Sequence, residues 1–255
     1  MTPMGAPTHP FWISAFLDIA PQHWDAALAF WPAATGTTLS ALRGDDQEFA
    51  TLVPADGDDH LRIQRRGDGL SRIHLDVHVT DPARAADRAV ELGAEVVHRS
   101  AYGYIVLRSP GGLTFCFVDH PAAVRPTPAD HGGYRSAVDQ VCIDVPSSRF
   151  DTESAFWAAL TGWREHAGAM SCFTLVKPPR DQPTRLLLQK LDDEPSAVTA
   201  HLDIAVTDRT AETIRHTGLG AQVVAEHDRW TVLRAPDGLP YCLTDRDPET
   251  GSLIG

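Results

Sequence analysis

Two eight-residue phrases hold the residues of this chain best suited to chemistry, HLDVHVTD (His74 to Asp81) and HLDIAVTD (His201 to Asp208). Each opens on a histidine and sets an aspartate, Asp76 or Asp203, two residues later. An imidazole beside a carboxylate can serve as a general base, a pair of metal donors or a polar clamp on a ligand. Strand neighbours at i and i+2 share a face but sit about 7 Å apart by rise, about twice hydrogen-bond reach, so neither pair is expected to form a dyad alone. Alternation sets Leu75, Val77 and Val79 on one face and His74, Asp76 and His78 on the other. The second copy sets Leu202, Ile204 and Val206 against His201, Asp203 and Ala205. The apolar face is expected beneath a helix, with the polar face open.

Further candidates lie on other alternating segments. VDQVCIDVP puts Gln140, Cys142 and Asp144 on one face, and LPYCLT turns Cys242 away from Tyr241 and Leu243. Gln64 and Gln189 close the matching segments LRIQR and LLLQK. Tyr104 and Trp230 stand at matching places before IVLR and TVLR, with Tyr102 nearby, and such aromatics suit stacking on flat organic ligands. Trp12, Trp24 and Trp163 are expected at the edges of a ligand cup, whereas Trp31 and Trp157, at matching helix positions, are expected in the core. The four cysteines form no CxxC pair, which excludes a zinc knuckle or thioredoxin-type motif. Neither G-x-S-x-G nor a glycine-rich phosphate loop occurs.

The elements that position these residues are duplicated. AFWPAATG recurs as AFWAALTG, FATLVP as FTLVKP, and VLRSPGGLTFCFVD as VLRAPDGLPYCLTD, all at nearly constant offset. The seam falls in HPAAVRPTPADHGGY, rich in proline and glycine and without periodicity. The expected organisation is a domain at 1–124, a linker at 125–134 and a second domain at 135–255. Each domain reads as strand–helix–three strands, twice. Asp81 with Pro82 marks one helix start, and Gly93 and Gly162 mark helix ends. The expected fold is α+β, four βαβββ modules forming two tandem domains with cup-shaped, mostly antiparallel sheets. Two pairings stay open: each half closing its own cup, or modules pairing across the halves.

The chain has 255 residues and a formal charge of −12, from 34 acidic and 22 basic residues. That balance argues against a nucleic-acid partner or an anionic membrane surface. Arg62, Arg65 and Arg66 cluster, which a solvated strand end explains about as well as a site does. The opening MTPMGAPTHP is expected to be a flexible lead-in and not a secretory signal, and the protein is expected in the cytoplasm.

These segments resemble the vicinal oxygen chelate superfamily, in its glyoxalase-like and bleomycin-resistance branch. The cues are AFW-A-TG in the first helix, HLD opening the fifth strand, LGA at the helix end, and P-x-G-x-x-[FY]-C in the last strand. The resemblance implies a metal site built from four strands, with His, Glu or Gln, His, and Glu as donors. Carried over, the second half offers Gln140, Gln189, His201 and Cys242, and the first half Ser14, Gln64, His74 and Cys116. The fifth-strand histidine is present twice, and cysteine stands in place of the closing glutamate twice. A degenerate metal set of this kind leads to the expectation of a protein that binds a small organic molecule in a sheet-lined cup. The alternatives are a divalent-metal lyase, isomerase or dioxygenase, and a metal-free acid–base enzyme using His74 or His201. The ligand-binding candidates are Gln64, Gln140, Gln189, Asp76, Asp203, Tyr104 and Trp230. The metal candidates are His74, His201, Gln64, Gln140, Gln189, Cys116 and Cys242, for either no cofactor or one divalent ion (Zn, Fe, Mn or Ni). A small-molecule ligand or substrate is the expected partner, in a monomer or homodimer.

Overall fold

The computed structural model describes residues 9–192 and 197–254, so most of the expected N-terminal lead-in lies outside it. The first half runs β1 (Trp12–Ile19), α1 (Trp24–Thr35), β2 (Thr38–Leu39), β3 (Phe49–Val53), β4 (Leu61–Arg65), β5 (Arg72–His78), α2 (Pro82–Glu91), β6 (Glu95–Arg99), β7 (Ile105–Arg108) and β8 (Thr114–Val118). A two-strand contact in the seam, β9 (Ala129–Asp130) against the start of β10 (Arg135–Pro146), leads into the second half. There follow α3 (Phe150–Thr161), β11 (Arg164–Ala167), β12 (Phe173–Lys177), β13 (Arg185–Leu191), β14 (Thr199–Val206), α4 (Arg209–Gly218), β15 (Gln222–Glu226), β16 (Trp230–Arg234) and β17 (Pro240–Thr244).

Each half closes its own sheet. The orders are β2-β3-β4-β1-β5-β8-β7-β6 and β11-β12-β13-β10-β14-β17-β16-β15. The two modules of a half meet antiparallel at β1/β5 or β10/β14, and the strands flanking that seam pair parallel, β1/β4, β5/β8, β10/β13 and β14/β17. This settles the open pairing in favour of one cup per half. Local signals act where the sequence places them. Asp81 accepts from the Arg84 amide at 3.0 Å and Asp208 from the Ala211 amide at 2.9 Å, so both aspartates cap their helices. Gly36 and Gly162, both left-handed, end α1 and α3.

The helices divide their loyalties. α2 and α4 lie on their own sheets, whereas α1 and α3 reach the other half. Phe115 of β8 packs against Phe156 and Trp157 of α3, and Tyr241 of β17 packs against Phe30 and Trp31 of α1. One continuous apolar core therefore joins both sheets. The buried indoles inside it need acceptors. Trp31 Nε1 donates to Asp237 Oδ2 of the opposite hairpin at 2.5 Å, while Trp157 Nε1 donates to Glu153 Oε1 of its own helix at 2.8 Å. Glu153 Oε2 then accepts from the Gly111 amide, across the interface, at 2.7 Å. The carboxylate thus comes from the hairpin at one contact and from the helix at the other. Position 111 requires glycine, because a Cβ there would fall 2.5 Å from Val198 and 2.7 Å from Glu153 Oε2. The exposed C-termini of these helices are met in the same crossed manner. Arg215 of α4 donates to the carbonyls of Ala33 and Ala34, and Arg88 of α2 to that of Ala159, favourable against the helix dipole.

Removing the Asp237 acceptor leaves a buried indole N–H unpaired. Asp237→Ala is expected to lower unfolding free energy by about 1–3 kcal/mol in denaturant titrations, and Asp237→Asn, which keeps an acceptor, by less than half as much. Equal losses in the two variants would show that the hydrogen bond is not what matters.

Candidate functional site

The concave face of each sheet encloses a cavity, about 580 Å³ in the first half and about 610 Å³ in the second. Both lie within the range of small-molecule sites, about 300–1,000 Å³. Strand alternation delivers the floor. Because β1 turns Ile13, Ala15, Leu17 and Ile19 into the helix-side core, Ser14, Phe16 and Asp18 face the other way. On β5 the same logic turns His74 and Asp76 to the cup, opposite Leu75 and Val77.

His74 is clamped on the floor. Its Nδ1 lies 2.9 Å from Asp18 Oδ1, its Nε2 faces Asp76 Oδ1 at 3.5 Å, and its ring stacks on Phe16 at 4.7 Å. Asp18 also accepts from Arg72 Nε at 3.0 Å. The second cup repeats the design. His201 Nδ1 lies 2.8 Å from Asp144 Oδ2 and its Nε2 faces Asp203 Oδ1 at 3.5 Å. In each half the tight partner is a diagonal neighbour on the adjacent antiparallel strand, two residues along from the residue directly opposite the histidine. The aspartate two positions along the same strand makes only the longer approach.

Electrostatics follow from these contacts. Burial disfavours a charged His74, yet Asp18, with Asp76 and Cys116, more than offsets it and raises its pKa well above the ordinary histidine value. Asp18 is held below the usual carboxylate range: burial pushes it up, and His74 and Arg72 pull it down further. For His201, burial again opposes protonation, while Cys142, Asp144 and Asp203 favour it, and the balance is raised. Burial pushes the Cys142 thiol up to about 12, so near neutral pH it carries no charge and the carboxylates hold the proton on His201. Burial likewise raises Cys116 and Cys242. Asp203 is pushed up by burial but ends below its usual value through His201, Arg246 and Gln140.

The remaining candidates also reach the cups. Gln64, Tyr104 and Cys116 line the first. Gln140, Gln189, Trp230 and Cys242 line the second, where Gln140 bonds Asp203 Oδ2 and Gln189 Oε1 accepts from Cys142 Sγ at 3.7 Å. His78 leaves the cup: its ring bonds Ser14 Oγ at 2.9 Å and the His120 carbonyl at 2.8 Å, and burial lowers its pKa. Trp12, Trp24 and Trp163 are buried away from both cavities, a correction to their expected place at the cup edges. Trp12 shares the cup face of β1 but sits beyond the cavity, bonded to the Asp59 carbonyl at 3.1 Å.

Sequence reasoning passed over Asp18, although its repetition as Asp144 in FLDIA and CIDVP was a usable signal. It also missed a network peculiar to the second half. There β10 carries a bulge between Val138 and Gln140, and the extra residue, Asp139, binds Arg185 at 2.9 Å and Arg246 at 2.5 Å.

Two groups of donors could hold a metal ion: His74, Asp76 and Cys116, and Cys142, His201 and Asp203, each with atoms within 4.8 Å of one another. An imidazole nitrogen, a carboxylate and a cysteine sulfur suit a zinc-like dication, whose binding would displace the protons held on the histidine and the thiol. The second nitrogen of each histidine is fixed by a carboxylate, as metal-bound histidines usually are. Asp203 Oδ1 is buried without a hydrogen bond, facing His201 Nε2. The residues present therefore fit such an ion.

Tandem cups of βαβββ modules, each with its histidine at the same floor position, define the class of fold. The family model for the glyoxalase-like domain matches the chain twice, over residues 14–118 and 140–244. The chain therefore belongs to the glyoxalase-like domain family, within the vicinal oxygen chelate superfamily. Among solved structures it is similar to a Mn(II)-bound glyoxalase from Novosphingobium aromaticivorans (15% identity, 96% of this chain and 83% of that one, TM-score 0.63). It is similar also to a triple mutant of 4-hydroxymandelate synthase from Streptomyces coelicolor (16%, 94% and 93%, 0.61) and to the 2,3-dioxygenase LapB from Pseudomonas sp. KL28 (12%, 94% and 93%, 0.62). At these identities the likeness is one of fold. No curated protein sequence matches the chain. No helix among the described residues is long and apolar enough to cross a membrane.

The raised histidines set a pH dependence. A group whose pKa is higher folded than unfolded stabilises the fold fully below its unfolded value, about 6.5, and loses that contribution as pH rises through the folded value. The depressed Asp18 and Asp203 act oppositely, losing their contribution as pH falls below about 4. Stability measured by denaturant titration is expected to decline from about pH 6.5 upward, and a His74→Gln/His201→Gln variant to lose that slope. Parallel profiles for the two proteins would contradict the protonated clamp.

Proposed function

We propose that the protein binds small organic molecules, one in each cup, over the floor histidine. The observation that carries this reading is the pair of cavities of about 580 and 610 Å³, each with an aromatic wall and a histidine held between two aspartates. Clamping fixes the ring orientation, so a ligand oxygen meets a preorganised donor and the histidine loses little freedom on binding. Aromatic walls supply the apolar contact area that such a site needs.

A second reading is supported by the donor groups described above. A divalent ion would be held by His74, Asp76 and Cys116, or by His201, Asp203 and Cys142. Bound there, it would supply Lewis-acid polarisation of a ligand oxygen. His74 and His201 would then present Nε2 to the ion, with Asp18 and Asp144 fixing each ring from the Nδ1 side.

Calorimetric titration with aromatic carboxylates and phenols, before and after chelation, separates the readings. The expected result is up to two sites per chain whose affinity survives chelation. His74→Ala and His201→Ala are each expected to weaken one site about tenfold, as loss of a charged hydrogen bond does. Stoichiometric metal by elemental analysis, with binding abolished by chelation and by either variant, would favour the second reading instead.

A further inference from the structure

The two cups share a floor but differ in their walls, and the difference falls at matched positions. In the first cup β4 turns Arg62 and Gln64 inward, with Arg66 just beyond the strand, and Arg72 and Arg43 join them. In the second, Leu187 stands where Arg62 does, Leu175 where Thr51 does, and Thr199 where Arg72 does. Gln64 and Gln189, and the phenylalanines paired with them, Phe49 and Phe173, are left unchanged between the two walls.

The guanidinium groups of the first cup are incompletely neutralised. Arg72 pairs with Asp18 at 3.0 Å and Arg62 with Asp59 at 2.9 Å. Arg66 donates from Nε to the Asp68 carbonyl at 2.9 Å and meets a carboxylate only at 3.8 Å, that of the same Asp68, whose side chain is 97% exposed. Arg43 bonds two hydroxyls, Ser40 Oγ and Thr51 Oγ1, both at 2.8 Å, and forms no ion pair among the described residues. An exposed, weakly partnered guanidinium keeps its fork of donors available to an incoming anion. Asp18, Asp68, Asp76 and Asp119 also line this cavity, so the positive character is local to the wall positions of Arg43 and Arg66.

The second cup is built the other way. Its deep cations, Arg185 and Arg246, are both tied to the bulge carboxylate of Asp139, and Arg246 also lies 3.8 Å from Asp203. Arg229, at the rim, donates to the Ile254 carbonyl at 3.2 Å and lies 3.8 Å from the exposed Asp228, so a weakly paired cation is present here too, but at the mouth and not on the β13 wall. The wall is aromatic and aliphatic. Trp230 stacks on His227 at 4.4 Å, meets Phe173 edge-on at 6.1 Å, and faces a cavity also lined by Met170, Leu175 and Leu187.

From this contrast we infer that the cups have diverged in ligand class: the first takes an anionic organic molecule, and the second an uncharged, flat aromatic one. The inference rests on the reading of both cups as organic-ligand sites. Recognition in the first cup is by Arg43 and Arg66, and in the second by the Trp230 face beside Leu175 and Leu187.

The test uses two probes of one shape, 2-naphthoate and 2-naphthol, titrated calorimetrically at neutral pH. Naphthoate is expected to bind one site that Arg43→Ala/Arg66→Ala weakens about tenfold or more and that added salt weakens in the wild type. Trp230→Ala should leave that site within about twofold. Naphthol is expected to show the reverse: weakened about tenfold by Trp230→Ala, as loss of a stacking face does, and insensitive to the arginine changes and to salt. The salt arm needs no variant, so a poorly folded variant does not remove the test. Both probes responding alike to the same variants, or naphthoate indifferent to salt and to the arginines, overturns the divergence while leaving the cups as ligand sites. Binding of neither probe at either cup overturns the divergence together with the reading beneath it.

Discussion

The structure depends on one constraint: α1 and α3, besides packing within their own halves, each press an aromatic pair against the sheet of the opposite half. Tyr241 covers Phe30 and Trp31, Phe115 covers Phe156 and Trp157, and β5 approaches β14, so neither half possesses a complete core alone. Deep burial of two indoles at this junction demands acceptors, and Asp237 and Glu153, both of the second half, provide them, one across the interface and one from within its own helix. Because the apolar faces of both sheets are consumed by the helices, their concave faces are left free. Two open cups follow from that use of the apolar surface.

At the floors the governing interaction is the diagonal histidine–aspartate pair. A lone buried imidazolium is unfavourable, and a lone buried carboxylate equally so. Together, with Arg72 in one cup and Gln140, Arg246 and Asp139 in the other, they form compact networks with nearly balanced charge. The balance is reached by different means in the two halves. The first spends exposed arginines around the rim, and the second buries its arginines on a carboxylate delivered by a β-bulge. Identical floors under unlike walls are what duplication followed by separate specialisation of the walls would leave.

Much of this was legible in the sequence. Repetition at a fixed offset, strand alternation and the cap residues Asp81 and Asp208 give the module order and the inward face of His74 and His201. What escaped has physical reasons. Spacing along one strand measures neighbours on that strand, whereas the partner that matters, Asp18 or Asp144, comes from the next strand and depends on register. A bulge shifts parity by one residue, so Asp139 could not be assigned a face from alternation. Trp24, at the start of α1, and Trp163, just past the end of α3, are buried in the helix-side core, a placement that periodicity within a helix does not reveal at its ends. Trp31 and Trp157 were legible as core, but the hydrogen bond of Trp31 joins segments 206 residues apart.

The central claim is that these cups hold organic ligands above their floor histidines. A crystal structure of the full chain grown with a saturating aromatic carboxylate tests it most directly. The account predicts ordered ligand density inside a cup, with a ligand oxygen within hydrogen-bond distance of His74 or His201 and the ring against the cup's aromatic wall. A ligand bound only outside the cups, with both floors unchanged and their histidines contacting nothing but protein, would contradict it.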